Sequence, residues 1–156
     1  MARTEFYDDP GAPVPNRLVV AASAVVTDGE GRVLLQRRVD NGLYALPGGA
    51  MDLGESLPGA AVREVREETG LEVEITGIVG TYTDPRHVIA YSDGEVRQQF
   101  NICFTARITG GELRISDEST DLRFVAPEEI GELPMHHTQR LRLRHFLEHR
   151  ATPYLG

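Results

Sequence analysis

A single cysteine in 156 residues, Cys103, leaves no partner for an internal disulfide and fits a reducing compartment. It sits in Phe100-Asn101-Ile102-Cys103-Phe104, the setting of a buried, inert thiol and not of a nucleophile. Long apolar runs are missing too. None approaches the ~20 residues of a membrane span, and the first residues lack the basic-then-apolar layout of a secretion signal. A cytoplasmic protein with no membrane partner is expected. Basic residues are in deficit, 16 against 24 acidic, giving a formal net charge of −8. That sign disfavours a long nucleic acid, because polyanions are held mainly through basic patches. A small anionic substrate stays compatible if cations gather locally or a metal supplies the charge. What is present is ordinary for a globular protein: 40% hydrophobic and 26% charged residues, in a length suited to one domain with a proper core.

Residues 1–16 carry three prolines and adjacent acids and predict an extended arm, used as an edge strand or a partner contact. A homodimer built on this arm is one expectation. Residues 17–150 read as the folded domain and 151–156 as a tail. Leu18 to Val26 is a continuous apolar stretch, Asp28-Gly29-Glu30-Gly31 supplies turn chemistry, and Arg32 to Arg38 follows as a second strand of a hairpin. At residues 57–69 the period changes to that of a helix. Ser56 is the N-cap, Pro58 falls in the first turn where its missing N–H costs little, and Gly70 is the stop. Val73 to Tyr82 and Val96 to Ile108 predict two further strands with a polar loop at 84–95 between them. Leu122 to Val125 predicts a short strand, Pro127-Glu128-Glu129 a helical turn, and Thr138 to His149 a last amphipathic helix. The order predicts an α/β fold with a mixed sheet sandwiched by helices.

The informative stretch is Gly49 to Leu71. Glu64, Glu67 and Glu68 lie at i, i+3 and i+4 and so share one helical face. Like charges at those spacings repel by a few tenths of a kcal/mol per pair, on the order found for exposed helix pairs. They also crowd the C-terminal half, where the helix dipole disfavours acids. Arg63 and Arg66 do not neutralise the acids gathered there, so something cationic is needed. Hard oxygen ligands of this kind suit Mg²⁺ or Mn²⁺.

A wider frame surrounds those acids. Gly49, five residues, Glu55, seven residues, then Arg63-Glu64-Val65-Arg66-Glu67-Glu68-Thr69-Gly70-Leu71 fills every specified position of the Nudix box. Chance produces such a match on the order of once in a billion start points with average residue usage. The chain therefore resembles the Nudix hydrolase superfamily, MutT-like in its box. Leu43-Tyr44-Ala45-Leu46-Pro47-Gly48-Gly49 looks like that family's lead-in, with Tyr44 where Trp is frequent. Tyr7-Asp8-Asp9-Pro10 and Thr83-Asp84-Pro85-Arg86 resemble an actinobacterial branch labelled ADP-ribose pyrophosphatase-like. The resemblance implies a Nudix α/β/α sandwich, with Glu67 and Glu68 as metal carboxylates and the Gly48 carbonyl as a backbone ligand. It makes Glu64 a further ligand or the general base and has Arg63 orient Glu67. Glu55 would support the loop or reach a second metal, with Gly49 and Gly70 as structural members of the box. A later-loop acid is the alternative base, and Glu118 in Ser116-Asp117-Glu118-Ser119 is the best placed.

Weaker signals lie outside the box. Arg37 and Arg38 end the second strand where substrate phosphates could be met. Tyr44, Tyr82 and Phe100 offer aromatic faces for a base, although core packing suits Phe100 better. Arg86 and His87 are candidate specificity contacts. His145 and His149 have i, i+4 metal spacing but no third ligand in view. Gly110-Gly111 reads as a turn and not a phosphate loop, since no helix start or Lys-Ser/Thr follows. The expected reaction is Mg²⁺- or Mn²⁺-dependent hydrolysis of a diphosphate in a small nucleotide substrate. ADP-ribose or a related nucleoside diphosphate derivative leads, partly because Pro85 lies 15 residues past Gly70. A MutT-type nucleoside triphosphate pyrophosphohydrolase is the runner-up, and a nucleotide-sensing domain without catalysis is the non-enzyme alternative.

Overall fold

In the computed structural model, which describes residues 2–156, the first half of the chain is mostly short strands around one helix. These are β1 (Arg3–Tyr7), β2 (Arg17–Leu18), β3 (Ala21–Thr27), β4 (Val33–Arg38), β5 (Tyr44–Ala45), β6 (Gly48–Ala50) and α1 (Leu57–Thr69). The second half adds β7 (Leu71–Tyr82), β8 (His87–Tyr91), β9 (Val96–Gln98), β10 (Asn101–Gly111) and β11 (Ser119–Val125). A 3₁₀ helix (Pro127–Glu132), α2 (His137–Leu147) and β12 (Tyr154–Leu155) complete it.

The main sheet has the order β11-β4-β3-β10-β7-β12, with β5 added to β4 and β6 to β3. It is mixed: β10 runs parallel to β3 and antiparallel to β7. Strand β3 is buried on both faces, which explains its unbroken apolar sequence. Ala24 and Val26 pack with Leu34, Val65 and Ala106 on the α1 side. Val25, between them, packs with Val33, Leu35 and Leu143 on the α2 side. The α/β/α sandwich expected from the sequence is what forms.

The β3–β4 hairpin differs from its simple reading. The two strands pair at Thr27↔Val33 and then splay, so that β4 takes β5 and β11 while β3 takes β6 in the opening. Only glycine fits there at position 48. A Cβ on Gly48 would stand 2.3 Å from the Ala22 carbonyl oxygen and 2.7 Å from Ser23 Cα.

A second sheet, β1-β8-β9-β2, replaces two other expectations. The segment 84–95 contains β8, which turns through Asp93-Gly94 into β9. The strand expected over Val96–Ile108 breaks at Gln99-Phe100, so that its first part joins β8 and its remainder the main sheet. Residues 3–7 of the arm pair with β8 from Tyr7↔His87 to Arg3↔Tyr91. In the tail, Tyr154–Leu155 pairs with β7. No helix among the described residues is long and apolar enough to cross a membrane.

Candidate active site

Helix α1 starts and stops as its sequence dictates. Ser56 Oγ accepts from the Gly59 N–H at 3.1 Å, and Gly70 closes the helix at φ 78°, a left-handed conformation that glycine adopts without strain. Leucine-sized space is not needed on its packing side, where Ala60, Ala61 and Val65 are fully buried. The helix thereby lies close to β6 and aims its carboxylate face at the Gly48–Gly49 backbone. A Cβ on Gly49 would meet the Glu64 carboxylate at 2.6 Å.

One arginine ties this face together. Arg63 donates to Glu64 at 2.8 Å, to Glu67 at 3.2 Å, to Glu55 at 3.0 Å and to the Ala50 carbonyl at 3.0 Å. Its five N–H donors in a fixed fork suit that hub. Glu68 is out of its reach and buried, 4% exposed. It accepts from the Gly48 N–H at 3.3 Å and from the Gln36 amide. Gln36 in turn accepts from Ser119 Oγ at 2.8 Å, so a buried polar chain joins the start of β11 to the helix. Burial raises the Glu68 pKa, as do the hydrogen bond and negative charge of Glu64, against the donors Gln36 and Gly48; it stands at about 8. Three carboxylates thus gather around a single guanidinium, and a fourth, the buried Glu68, is left facing Glu64.

The Gly48–Ala50 strand is also one wall of the main cleft, along with Arg38. Arg38 is ion-paired to Asp40 at 2.7 Å. That bond is the main cause of its raised pKa, and the charges of both Glu68 and Glu118 add to it.

The second sheet and the start of α2 supply the other wall, including Arg3, Glu5, His87, His136 and Arg142. Glu5 is held by Arg3, by His87 Nε2 at 2.9 Å and by His136 Nδ1 at 3.2 Å. Burial opposes its ionisation, but the His87 hydrogen bond and the Arg3 and His136 charges outweigh it and hold the pKa at about 2. Burial lowers His136 to about 4, with the Glu5 charge only partly opposing. Glu5, His87 and His136 are the one group of three metal-ligand side chains that converges among the described residues.

The structure brings Gly48, Gly49, Glu55, Arg63, Glu64, Glu67 and Glu68 together, with Gly70 closing the helix that carries them. Glu118 is exposed on the loop entering β11, its carbonyl accepting from the Val39 N–H at 2.9 Å. Arg37 is exposed and donates to the Gly42 carbonyl at 2.8 Å. Tyr44 lines the cleft, but its ring is buried and its hydroxyl donates to Asp121 at 2.5 Å. Tyr82 is turned inward onto His145 Nδ1 at 2.8 Å, which also accounts for that histidine without a metal. Phe100 is half-buried at the cleft. Arg86 is exposed, paired with Asp84 at 2.8 Å and set 5.1 Å from the Tyr7 ring centre, away from the residues that line the cleft; its neighbour His87 is the one inside. Sequence reasoning passed over Gln36, Ser119, Glu5, His136 and Arg142. Gln36 had a signal: it is the lone polar residue among Val33-Leu34-Leu35-Gln36, all buried.

The family model described as NUDIX domain matches residues 17–148. A MutT-like protein of Streptomyces ambofaciens is 36% identical over 114 residues, covering 72% of this chain and 67% of that one. An ADP-ribose pyrophosphatase of Methanocaldococcus jannaschii is 33% identical over 131 residues, covering 76% and 71%. Among solved structures, a Nudix hydrolase from M. smegmatis, RenU, superposes with a TM-score of 0.67 over 98% of both chains at 26% identity.

Proposed function

The chain belongs to the NUDIX domain family and is a pyrophosphohydrolase, and from that premise we propose that it hydrolyses the diphosphate of a nucleoside diphosphate derivative with Mg²⁺ or Mn²⁺ as cofactor. The observation that carries this reading is the gathering of Glu55, Glu64 and Glu67 around one arginine, with the buried Glu68 facing Glu64 and bonded to the Gly48 N–H. The donors are all oxygens, the set that suits these hard cations. Glu67, Glu68, Glu64 and the Gly48 carbonyl would hold the metal. Such a cation supplies charge neutralisation of the diphosphate oxygens and a lowered pKa for bound water.

The side chains have separable tasks. Arg63 fixes Glu55, Glu64 and Glu67 relative to one another, so that the ligand face is preorganised. Arg38, on the cleft wall, faces the substrate phosphates. Arg37 beside it, Tyr44 below and Arg86 on its loop are weaker candidates for contact. Glu64 is occupied by Arg63, whereas Glu118 makes no side-chain bond among the described residues and lies within the field of Arg38. Glu118 is therefore assigned as the general base that takes the proton of the attacking water.

ADP-ribose is the substrate we favour, in line with the relative named for it. The test is a product-resolved screen in Mg²⁺ across ADP-ribose, nucleotide sugars, dinucleoside polyphosphates and nucleoside triphosphates. AMP plus ribose 5-phosphate from ADP-ribose supports the reading. Preferred release of pyrophosphate from triphosphates moves the chain to the MutT-type reaction, and flat activity overturns the ADP-ribose preference. Tight nucleotide binding with no turnover indicates a sensor. Glu68→Gln should lose more than about 100-fold in kcat, beyond the effect typical of a supporting residue. Its melting temperature should hold or rise, because the amide removes a buried carboxyl that burial and Glu64 already disfavour as an ion.

A further inference from the structure

Arg142 is the anomaly of the second wall. It is 3% exposed, and its side chain makes no hydrogen bond or ion pair with the described residues; the buried Nε is without any partner. A guanidinium always carries its charge. Burying one unpaired is costly, and a protein keeps such a group only where something repays the desolvation. The Tyr82 ring, 5.3 Å from its guanidinium carbon, recovers a fraction of that cost. The groups whose charge it feels most are Cys103, Tyr82 and Glu5. Cys103 is fully buried and held in its neutral form by burial, and burial pushes the Tyr82 hydroxyl up beyond its ordinary range. Glu5 is already engaged by Arg3, His87 and His136. One positive charge is therefore left over, and Arg142 lines the same cleft as Gly48 and Gly49.

We propose that Arg142 binds an oxyanion, a carboxylate or a phosphate monoester, carried by the substrate away from its scissile diphosphate. The proposal rests on the diphosphate reading above but departs from its ADP-ribose preference, since ADP-ribose carries no acidic group beyond the diphosphate. Among nucleoside diphosphate derivatives, the chain selects those with a further acidic group on the part that reaches the second wall. The selectivity follows from asymmetry. A buried guanidinium that finds an oxyanion gains charge-assisted bonds, while a neutral hydroxyl at the same place leaves the charge uncompensated.

Paired substrates that differ only in that group provide the test. UDP-glucuronate against UDP-glucose offers a carboxylate in place of a hydroxymethyl group, and NADPH against NADH offers a phosphate in place of a hydroxyl. One pair should show a charged-to-neutral ratio in kcat/KM of about 10- to 100-fold, the span of a charged hydrogen bond, and the difference should lie in KM. The responding pair identifies whether carboxylate or phosphate is read. Arg142→Met, which keeps the stem and removes the charge, should bring that ratio to within about threefold of unity. Arg142→Lys should keep an intermediate ratio. A purely structural arginine makes the opposite forecast: Arg142→Met would melt at a lower temperature and leave the ratio unmoved. Ratios near unity for both pairs in the unaltered protein, or a preference that survives Arg142→Met, overturn the proposal. Calorimetric binding of the same pairs reads the preference independently of turnover. Activity on ADP-ribose without any charge preference thus overturns this inference alone, and absence of turnover on every diphosphate overturns the reading beneath it.

Discussion

One wall of the cleft, the Gly48–Ala50 strand, is backed by a carboxylate cluster, and the other is rich in basic side chains, so the two sides carry opposite surpluses. Around Gly48 and Gly49, carboxylates outnumber the one arginine that binds them. Across from them, a single carboxylate, Glu5, is surrounded by Arg3, His87 and His136 while Arg142 stands unpaired. A protein that had only to be stable would have mixed these charges. Keeping them apart leaves one wall in need of a cation and the other in need of an anion. The metal-bound diphosphate with a distal acidic group proposed above would answer both at once.

The comparison can be broken at either wall. The largest effect should come from Glu118→Gln, which removes the proton acceptor and spares the ligand face. It should lower kcat about 10²- to 10⁴-fold, the usual worth of a general base, with KM little changed. Unchanged kcat would return the base role to Glu64. Next come the neighbouring glycines, which should fail in different ways. The added methyl of Gly49→Ala meets the end of the Glu64 side chain at 2.6 Å, and that end can move. Activation by Mg²⁺ should need about 10- to 100-fold more metal, with the urea midpoint nearly unchanged. The methyl of Gly48→Ala meets backbone at 2.3 Å and should cost roughly 1–3 kcal/mol of stability, as overpacking does.

The last effect belongs to the second wall and to pH, and it touches stability and not turnover. Glu5 is held at about 2 against an ordinary 4.5, so its contribution is full above 4.5 and drains away as pH falls towards 2. His136 is held at about 4 against 6.5. The unfolded chain therefore takes up that proton first, and stability also falls from 6.5 downwards. Both groups point the same way, and Glu5 alone accounts for roughly 2–3 kcal/mol by proton linkage. Urea midpoints between pH 7 and pH 3 should decline, and Glu5→Gln should flatten the lower part of that decline. A flat profile in the unaltered protein would sever Glu5 from its partners.

How far each wall could be read in advance follows from how it is assembled. The acid wall is local: cap, proline, carboxylate spacing and stop glycine all fall within residues 49–71, and α1 spans Leu57–Thr69 between the expected cap and stop. The arginine wall joins residues 3, 5, 87, 136 and 142, which share no spacing that a helix or hairpin would impose. Strand β8 shows why. Its five residues lie in a segment that reads as a polar loop, and they pair as a strand with β1, 80 or more residues away in the chain. The break at Gln99-Phe100 has no glycine or proline to mark it; the Gln99 N–H bends back to the His87 carbonyl at 3.1 Å. Gln36 was legible, as a polar residue in an apolar strand, but its partners Ser119 and Glu68 were not.

Gln36 also makes the acid wall adjustable. Its amide N–H donates a hydrogen bond to Glu68 and its carbonyl accepts one from Ser119, so the ionisation of Glu68 is favoured by a group that carries no charge. Exchanging that amide for a carboxyl hardly alters the shape but removes the donor that favours the charged form of Glu68. Position 36 thus works as a setting screw: out of contact with solvent, it biases the charge of Glu68 while leaving the exposed surface of the site as it is.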